Sequence, residues 1–534
     1  MGISILLACL SGAMYVFSFA PWDQAWLQWG AFVPLFYAIE LLPGHRRTSR
    51  WIFGVSMIPA MIICAGGFYW MIHATQEYGG LPFGAALALF AVFMLTGQLQ
   101  VPIWMLLRRL LIEGPVPRRS LVLFALSSGI LYSGVESLYP KLFLDTAGHA
   151  FYHSPWIRQA ADLGGPFILT TLVITVNELL YLGLRTRSLR AVLDAGLIGA
   201  LLCGYGQARI TQYENLKVQH ADAPVFNVAL IQANIGDYLK VAAERGTLDA
   251  TGKVMDRYLG MSAAALAAPS APDAVIWPET AYPALFQRPK SRLEELMQQR
   301  FDGLLEKSRA HFVFGGYDAD ETRGEEYNTL YFYDPVTRTR DAYHKSILLM
   351  FGETLPLSDV FPSMKSWFPT MGFFGRGPGP VIHTLKNRAG VPFHFAPSIC
   401  YEGLFPGFAV EGALKGADAL LNVTNDSWFG EYGEPYLHLA LTQFRAVETR
   451  LPLLRATNTG ITVAVSPLGE TPRQTGISKE DTLFSGVTRR IMPESPYMVL
   501  ARVFGSSWFE RFAQLTSLLL TGYLTLRRRQ LSKI

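Results

Sequence analysis

The sequence is short of charge. Only 16% of its 534 residues are Asp, Glu, Lys or Arg, while half are hydrophobic; soluble domains ordinarily carry about a quarter charged residues. A deficit of this size over this length excludes an ordinary soluble protein and implies a membrane protein with a soluble part. The net charge of +4 is too small for a nucleic-acid binder, which needs a concentrated positive surface. Cysteine is also scarce. Of Cys9, Cys64, Cys203 and Cys400, the first three lie in long apolar segments, so the polar part of the chain can form no internal disulfide. The histidines lack metal-ligand spacing: His344, His394 and His438 make no H-E-x-x-H pattern. No metal is assigned, and no cofactor is called for. No internal repeat or low-complexity tract stands out.

Lys and Arg are missing from alternate loops. Long apolar segments occupy 3–20, 26–42, 51–72, 83–107, 120–138, 164–184 and 191–209, with a last one at 512–526. Each approaches the roughly 20 residues a helix needs to cross the hydrocarbon. The segment 26–42 is short and is accepted because the charge pattern requires a crossing there. The loops "PWDQAW" and "HATQEYGG" hold no Lys or Arg, and the longer loop 139–163 has only Lys141 and Arg158. The intervening loops hold "HRRTSR", Arg108, Arg109, Arg118 and Arg119, and then Arg185, Arg187 and Arg190; the tail is "LRRRQLSKI". Positive charge stays on the cytoplasmic side. Eight spans with both termini inside follow, and the polar region faces outward. The first span has no basic n-region or A-x-A site, so it is expected to be retained. The division expected is 1–210 for seven spans, 211–505 for the outward domain, and 506–534 for the eighth span and basic tail.

The outward domain reads as α/β. Strand-like runs fall at 225–235, 273–280, 311–320, 327–335, 392–402, 417–426 and 453–467, with a helix-like segment at 291–310. Strands alternating with helices favour a layered sheet, and near-continuous apolar runs fit sheets covered on both faces.

Within that domain Cys400 stands alone, in "FHFAPSICYEGLFPG" (393–407). A lone cysteine is either a small buried hydrophobe or a reactive thiol. This one ends a strand-like run and precedes a Gly-containing turn, an elbow able to present a nucleophile. A thiol of ordinary pKa is only a few per cent thiolate at pH 7, so it needs a base or a cation nearby. Glu279 in "VIWPETAYP" and Lys345 and Glu353 in "DAYHKSILLMFGETLP" occupy similar strand ends. Each alone reads as a surface charge. Together they supply a base, a cation for a developing oxyanion and a nucleophile.

The stretches "WPET", "YHKSILLMFGETLP", "SICYEGLFP" and "NVTNDSWFG…HLALTQFRAVETRLPLLRATNTGITVAVSPLG" resemble the apolipoprotein N-acyltransferase family, in which a nitrilase-type α-β-β-α sandwich sits between the last two of eight membrane spans. The resemblance implies Glu279 as base, Lys345 as oxyanion-stabilising cation and Cys400 as nucleophile. It implies Glu353 as a second carboxylate supporting the Lys or the base, and the Tyr401 backbone N–H as an oxyanion donor. Glu402 is either a salt-bridge partner behind the site or a catalytic group, and Trp428 either core or acyl-pocket wall. The implied reaction moves an acyl chain from a phospholipid, expected to be phosphatidylethanolamine, through a Cys400 thioester to the N-terminal amine of a diacylglyceryl-cysteine lipoprotein. The implied location is the bacterial inner membrane, with the catalytic domain periplasmic.

Two other readings compete: a membrane-tethered nitrilase-type amidase acting on a small amide, and a transporter or binding protein with a dead outward domain. The last needs ionisable groups lining a path. Glu136, Asn177 and Glu178 are its candidates, and the two glutamates lie near span ends, where reaching the interface is cheaper. The stretch "SMKSWFPTMGFFGRGPGP" (363–380), with Trp367, Phe368, Phe373 and Phe374, fits an arm that dips into the interface and admits lipid.

Overall fold

Two groups of contacts divide the chain. The computed structural model describes residues 1–534 apart from 47, 78, 114–120, 237–247, 356, 359, 362, 364–365, 367–371 and 532–534. One unit comprises Met1–Gln212, Tyr432–Glu448 and Glu494–Ile534; the other comprises Tyr213–Glu431 and Thr449–Pro493. Residues 432–448 and 494–505, expected with the outward domain, thus belong with the apolar unit. The reason is apolar packing: Ala440, Phe444 and Val447 join a buried cluster with Ala20, Tyr152, Leu169 and Leu202. Gln443 Nε2 also donates to the Tyr152 carbonyl at 3.2 Å.

Five helices of the first unit are long and apolar enough to cross a membrane, among the described residues: Ser49–Gly67, Phe83–Ile112, Leu121–Leu138, Pro166–Thr186 and Leu189–Gln219. Eight spans were expected. The helix Gly2–Phe17 has 16 residues, about 24 Å at the α-helical rise. The expected span 26–42 breaks into a 3₁₀ turn, Ala25–Trp29, and an eight-residue helix, Val33–Glu40, with Pro34 in its first turn. Proline has no N–H to give and is at home only at a helix start, so the helix begins afresh there. The last helix, Trp508–Leu531, is long enough, but Glu510 in its first turn and Arg528 and Arg529 in its last shorten its apolar centre.

Several of the bundle's polar groups pair with one another. Arg108 Nη2 donates to Glu178 Oε2 at 2.8 Å, and Ser128 Oγ donates to Glu178 Oε1 at 2.7 Å. The Arg108 guanidinium also lies 4.1 Å from the Phe36 ring centroid. Asn177 accepts from the Phe32 N–H at 2.8 Å and donates to the Gln28 carbonyl at 3.0 Å. Glu136 pairs with Lys141 at 3.0 Å. Glu136 and Glu178 therefore do not reach out to an interface as expected. They are buried, and each has a cation partner inside the unit.

The second unit is a sandwich of two sheets. Its strands are β1 (Val225–Gln232), β2 (Ala274–Ile276), β3 (His311–Asp320), β4 (Glu325–Tyr333), β5 (Arg340–His344), β6 (His383–Lys386), β7 (Pro392–Ile399), β8 (Ala419–Thr424), β9 (Leu453–Thr457), β10 (Val463–Val465) and β11 (Asp481–Thr488). The sheet orders are β11-β1-β2-β3-β4-β5 and β10-β9-β8-β7-β6. β1, β2 and β3 run parallel, as do β7, β8 and β9. Between the sheets, Phe226 of β1 meets Phe393 and Phe395 of β7 at ring separations of 5.4 and 5.1 Å. On the outer face of the first sheet, Trp277, Phe312 and Phe314 pack against Phe301 and Leu305 of helix Arg292–Lys307 and Tyr258 of helix Leu248–Leu266. Helix Pro406–Leu414 covers β7 and β8. Covered on both faces, the central strands read as continuous apolar runs. The run 453–467 splits into β9 and β10. The strands β5, β6 and β11 were not expected; all three are sheet edges, where charge and short length blunt the apolar signal.

Gly315 of β3 holds the segment after β2 in place. Its N–H donates to the Pro278 carbonyl at 3.2 Å and its carbonyl accepts from the Tyr282 N–H at 2.9 Å. A Cβ here would lie 2.4 Å from Thr280 N and 2.7 Å from Glu279 Cα. Gly315→Ala is expected to cost about 1–3 kcal/mol through overpacking. Gly303→Ala, on a helix with open space around it, should be neutral or slightly stabilising. Melting curves of the detergent-solubilised variants check both.

Candidate active site

The parallel strands bring their carboxyl ends to one edge of the sandwich, where ligands of open parallel sheets commonly sit. Cys400 follows β7 directly and begins a 3₁₀ turn, Cys400–Leu404. Its φ is +50°, a left-handed conformation that costs a residue with a Cβ and persists only when its surroundings enforce it. Glu402 does the enforcing. Its Oε2 accepts from the Ile399 N–H at 2.7 Å, and its Oε1 accepts from the Ser346 and Ile347 N–H groups at 2.6 and 3.0 Å. The Tyr343 hydroxyl donates to both oxygens at 2.8 Å. One fully buried carboxylate thus ties the cysteine turn to the loop that starts at Lys345. Three amides and a phenol demand an acceptor on both oxygens. Burial nonetheless pushes the Glu402 carboxyl up to about 7, against the pull of those donors. Its partners are backbone amides and a phenol rather than the cation of a salt bridge.

Lys345, just past β5, is 1% exposed. Its Nζ lies 2.8 Å from Glu353 Oε1 and 3.3 Å from Glu279 Oε1. Asn328 of β4 joins the same two carboxylates, its Nδ2 donating to Glu279 Oε1 at 2.7 Å and to Glu353 Oε1 at 3.1 Å. Backbone amides complete them: Asn425 N–H donates to Glu279 Oε2 at 2.9 Å and Leu349 N–H to Glu353 Oε2 at 2.8 Å. Burial alone would lower the Lys345 pKa. The charges of Glu353 and then Glu279 outweigh it, so the net shift is well upward and the ammonium stays charged. The Cys400 thiol moves the same way for the opposite reason. Burial and the Glu279 charge raise it well above the ordinary thiol range, and Lys345 and a hydrogen bond to Thr424 offset only part of this. The resting sulfur is therefore protonated and needs a base.

A buried polar frame backs the cysteine turn. Arg455 of β9 donates through Nη1 to Asn422 Oδ1 at 2.7 Å and through Nη2 to Asp426 Oδ2 at 3.0 Å. Asn422 Nδ2 donates to Ser398 Oγ at 3.1 Å and to the Cys400 carbonyl at 3.4 Å. Asn458 Nδ2 donates to Asn425 Oδ1 at 3.0 Å and to the Ile235 carbonyl at 2.8 Å. The ends of β1, β8 and β9 are thereby pinned around the Asn425 amide that holds Glu279.

The structure gathers Glu279, Lys345, Glu353 and Cys400 into one cluster. Tyr401 lies beside it, buried edge-to-face against Phe405 at 5.1 Å. Trp428 is half-buried on the 3₁₀ turn Asp426–Phe429. Sequence reading missed Asn328, Asn422, Asn425, Arg455 and Asn458. For two of them a signal was present: Asn422 and Arg455 interrupt otherwise apolar strands, and a buried polar side chain needs a partner. The arrangement offers a thiol, a carboxylate base and a fixed cation, the parts of covalent acyl transfer.

Comparison with known proteins agrees with this chemistry. The carbon-nitrogen hydrolase family model matches residues 227–492, and the model of the apolipoprotein N-acyltransferase N-terminal domain matches residues 11–179. An apolipoprotein N-acyltransferase of Bdellovibrio bacteriovorus is 32% identical over 502 residues, covering 89% of this chain and 86% of that protein. One from Geobacter metallireducens is 30% identical over 516 residues, covering 93% and 92%.

The electrostatics predict how Cys400 alkylates. With its thiol pKa raised, the thiolate fraction at pH 8 is below that of a free cysteine, so iodoacetamide labelling should be slow and still climbing at the top of the ordinary thiol range. Glu279→Gln removes a charge that raises the pKa and should speed labelling at pH 8; Lys345→Met should slow it further. Peptide mass mapping of Cys400 against pH reads both signs.

Proposed function

Because this chain belongs to the apolipoprotein N-acyltransferase family, we propose that it passes an acyl chain in two steps through Cys400. It is an acyltransferase of a bacterial membrane, with a nitrilase-like α/β domain, and its substrates are phospholipid and lipoprotein. The match to whole relatives across both units carries this reading.

In the proposed first step Glu279 takes the Cys400 proton and the sulfur attacks the ester carbonyl of the phospholipid. The oxyanion is held by the Lys345 ammonium and by the Tyr401 N–H, the amide that follows the nucleophile. The C–O bond breaks, the alkoxide of the lysophospholipid takes the proton back from Glu279, and the acyl group remains on sulfur as a thioester. In the second step the lipoprotein's N-terminal amine attacks that thioester. The N–C bond forms, the C–S bond breaks, and Glu279 carries the surplus amine proton to the sulfur. The protonated resting thiol and the charged lysine support these roles. Glu353 keeps the lysine charged and aimed, Glu402 fixes the turn, and Trp428 lines the acyl pocket. Base removal in such steps typically costs about 10²- to 10⁴-fold.

Phosphatidylethanolamine is the donor we propose. We further propose eight crossings, the broken stretch 25–42 and the two end helices included, with both termini cytoplasmic, residues 211–505 outward and 506–534 returning to the inside. The alternation of arginine-rich and arginine-free loops supports it. Working at the membrane surface spares the cost of extracting an acyl chain, about 0.8 kcal/mol per CH₂. The stretch 363–380 is proposed to admit lipid there; of its four large aromatics, Trp367 and Phe368 lie outside the described residues. A small-amide hydrolase would use the same cluster, and the carbon-nitrogen hydrolase match favours it for the second unit alone.

Intact-mass analysis after mixing with phospholipid separates the two. The acyltransferase reading expects a fatty-acyl adduct that hydroxylamine removes and that Cys400→Ala abolishes. A wild-type protein that takes no acyl group from phospholipid, yet hydrolyses small amides, would overturn it.

A further inference from the structure

Asn328 has a second use that the cluster's internal bonds leave open. Its Nδ2 faces two carboxylates, Glu279 Oε1 at 2.7 Å and Glu353 Oε1 at 3.1 Å. Carboxylates beside a charged lysine accept and do not donate, so the amide cannot be turned round. Both N–H groups of Nδ2 are thereby used, and Oδ1 is fixed as an acceptor. That oxygen is buried and has no hydrogen-bond partner, and the residue is only 3% exposed. A buried acceptor with no donor has lost its water and gained nothing in return. The Asn328 carbonyl, by contrast, is paired, accepting from the Lys345 N–H at 2.9 Å.

We infer that Asn328 Oδ1 binds the attacking amine of the second step. This rests on the acyl-transfer reading above. A neutral primary amine presents two N–H groups and one lone pair. The Glu279 carboxylate takes one N–H and Asn328 Oδ1 takes the other. Two acceptors bridged by one planar amide fix the nitrogen's rotation, so its lone pair is held toward the Cys400 thioester. The proton that must leave is the one on Glu279, which passes it to the sulfur as the C–S bond breaks; the N–H held by Asn328 survives in the product amide. A thiol has a single S–H and uses Glu279 alone, so the amide favours an amine over a thiol. The same asparagine thus positions the base and recognises the acceptor.

The test must separate the two uses. Acyl-enzyme is prepared by mixing the full-length protein with phospholipid, the excess lipid is removed, and the thioester is challenged with either of two acceptors. One is a synthetic lipopeptide bearing a free diacylglyceryl-cysteine amine; the other is 2-mercaptoethanol, which has no N–H. Both need Glu279, so a displaced base slows both alike and the ratio of the two rates isolates Asn328. Asn328→Ala is expected to lower the ratio of aminolysis to thiolysis about tenfold or more, the size of one lost hydrogen bond to a buried group. Asn328→Leu, which refills the space without a polar atom, should do the same and serves if the alanine variant does not fold. An unchanged ratio in a variant that still acylates would overturn the inference and leave Asn328 as a support for Glu279. A wild-type protein that forms no acyl-enzyme would overturn the acyl-transfer reading instead.

Discussion

The catalytic edge of the sandwich depends on one buried ammonium. Two carboxylates, the buried Glu279 and the partly buried Glu353, share a single cation, Lys345, in contact with both. Burying a lone charge is among the most costly things a fold can do, and burying two like charges together is worse. Lys345 makes the arrangement tolerable, and backbone amides from Leu349 and Asn425 and the Asn328 side chain complete it. The residual charge of the cluster then acts on Cys400. Burial first, and this charge after it, raise the thiol well above its ordinary range, so base catalysis by Glu279 is a requirement rather than an accessory.

That constraint explains why the surrounding frame is so polar. Glu279, Lys345, Cys400 and Asn425 follow four different strands, β2, β5, β7 and β8. A displacement of about 1 Å in such a site commonly costs around a hundredfold in rate. Glu402 clips the cysteine turn to the lysine loop, Asn458 clips the ends of β1 and β8, and Arg455 holds Asn422 and Asp426. Gly315 does the same by having no side chain, letting β3 run against the Glu279 segment. Buried hydrogen bonds of this kind rigidify a core.

Much of this was legible before any coordinates. The apolar runs of the sandwich interior became strands, because sheets covered on both faces leave no polar alternation to confuse the reading. The cysteine, the lysine and two glutamates stood out because reactive residue types at strand ends are few in this chain. Legibility failed where tertiary context decides. The edge strands β5, β6 and β11 carry charge or little apolar surface. The stretch 26–42 has the composition of a span, but Gly30 and Pro34 break its helix. Asn328 is an ordinary residue type whose importance lies in the two carboxylates that face it, 49 and 25 positions away in the sequence. The loop-end glutamates of the bundle read as interface residues, yet Glu178 finds Arg108 seventy positions away.

The claim that the ammonium organises the site can be tested through stability alone, with no substrate. Lys345→Met should leave Glu279 and Glu353 uncompensated and lower the stability of the full-length protein by about 3–5 kcal/mol, the usual cost of removing one partner of a buried pair. Adding Glu353→Gln to that variant removes one of the stranded charges and should restore much of the lost melting temperature. If Lys345→Met melts with the wild type, or if the second substitution makes it worse, the ammonium is not what the cluster is built around.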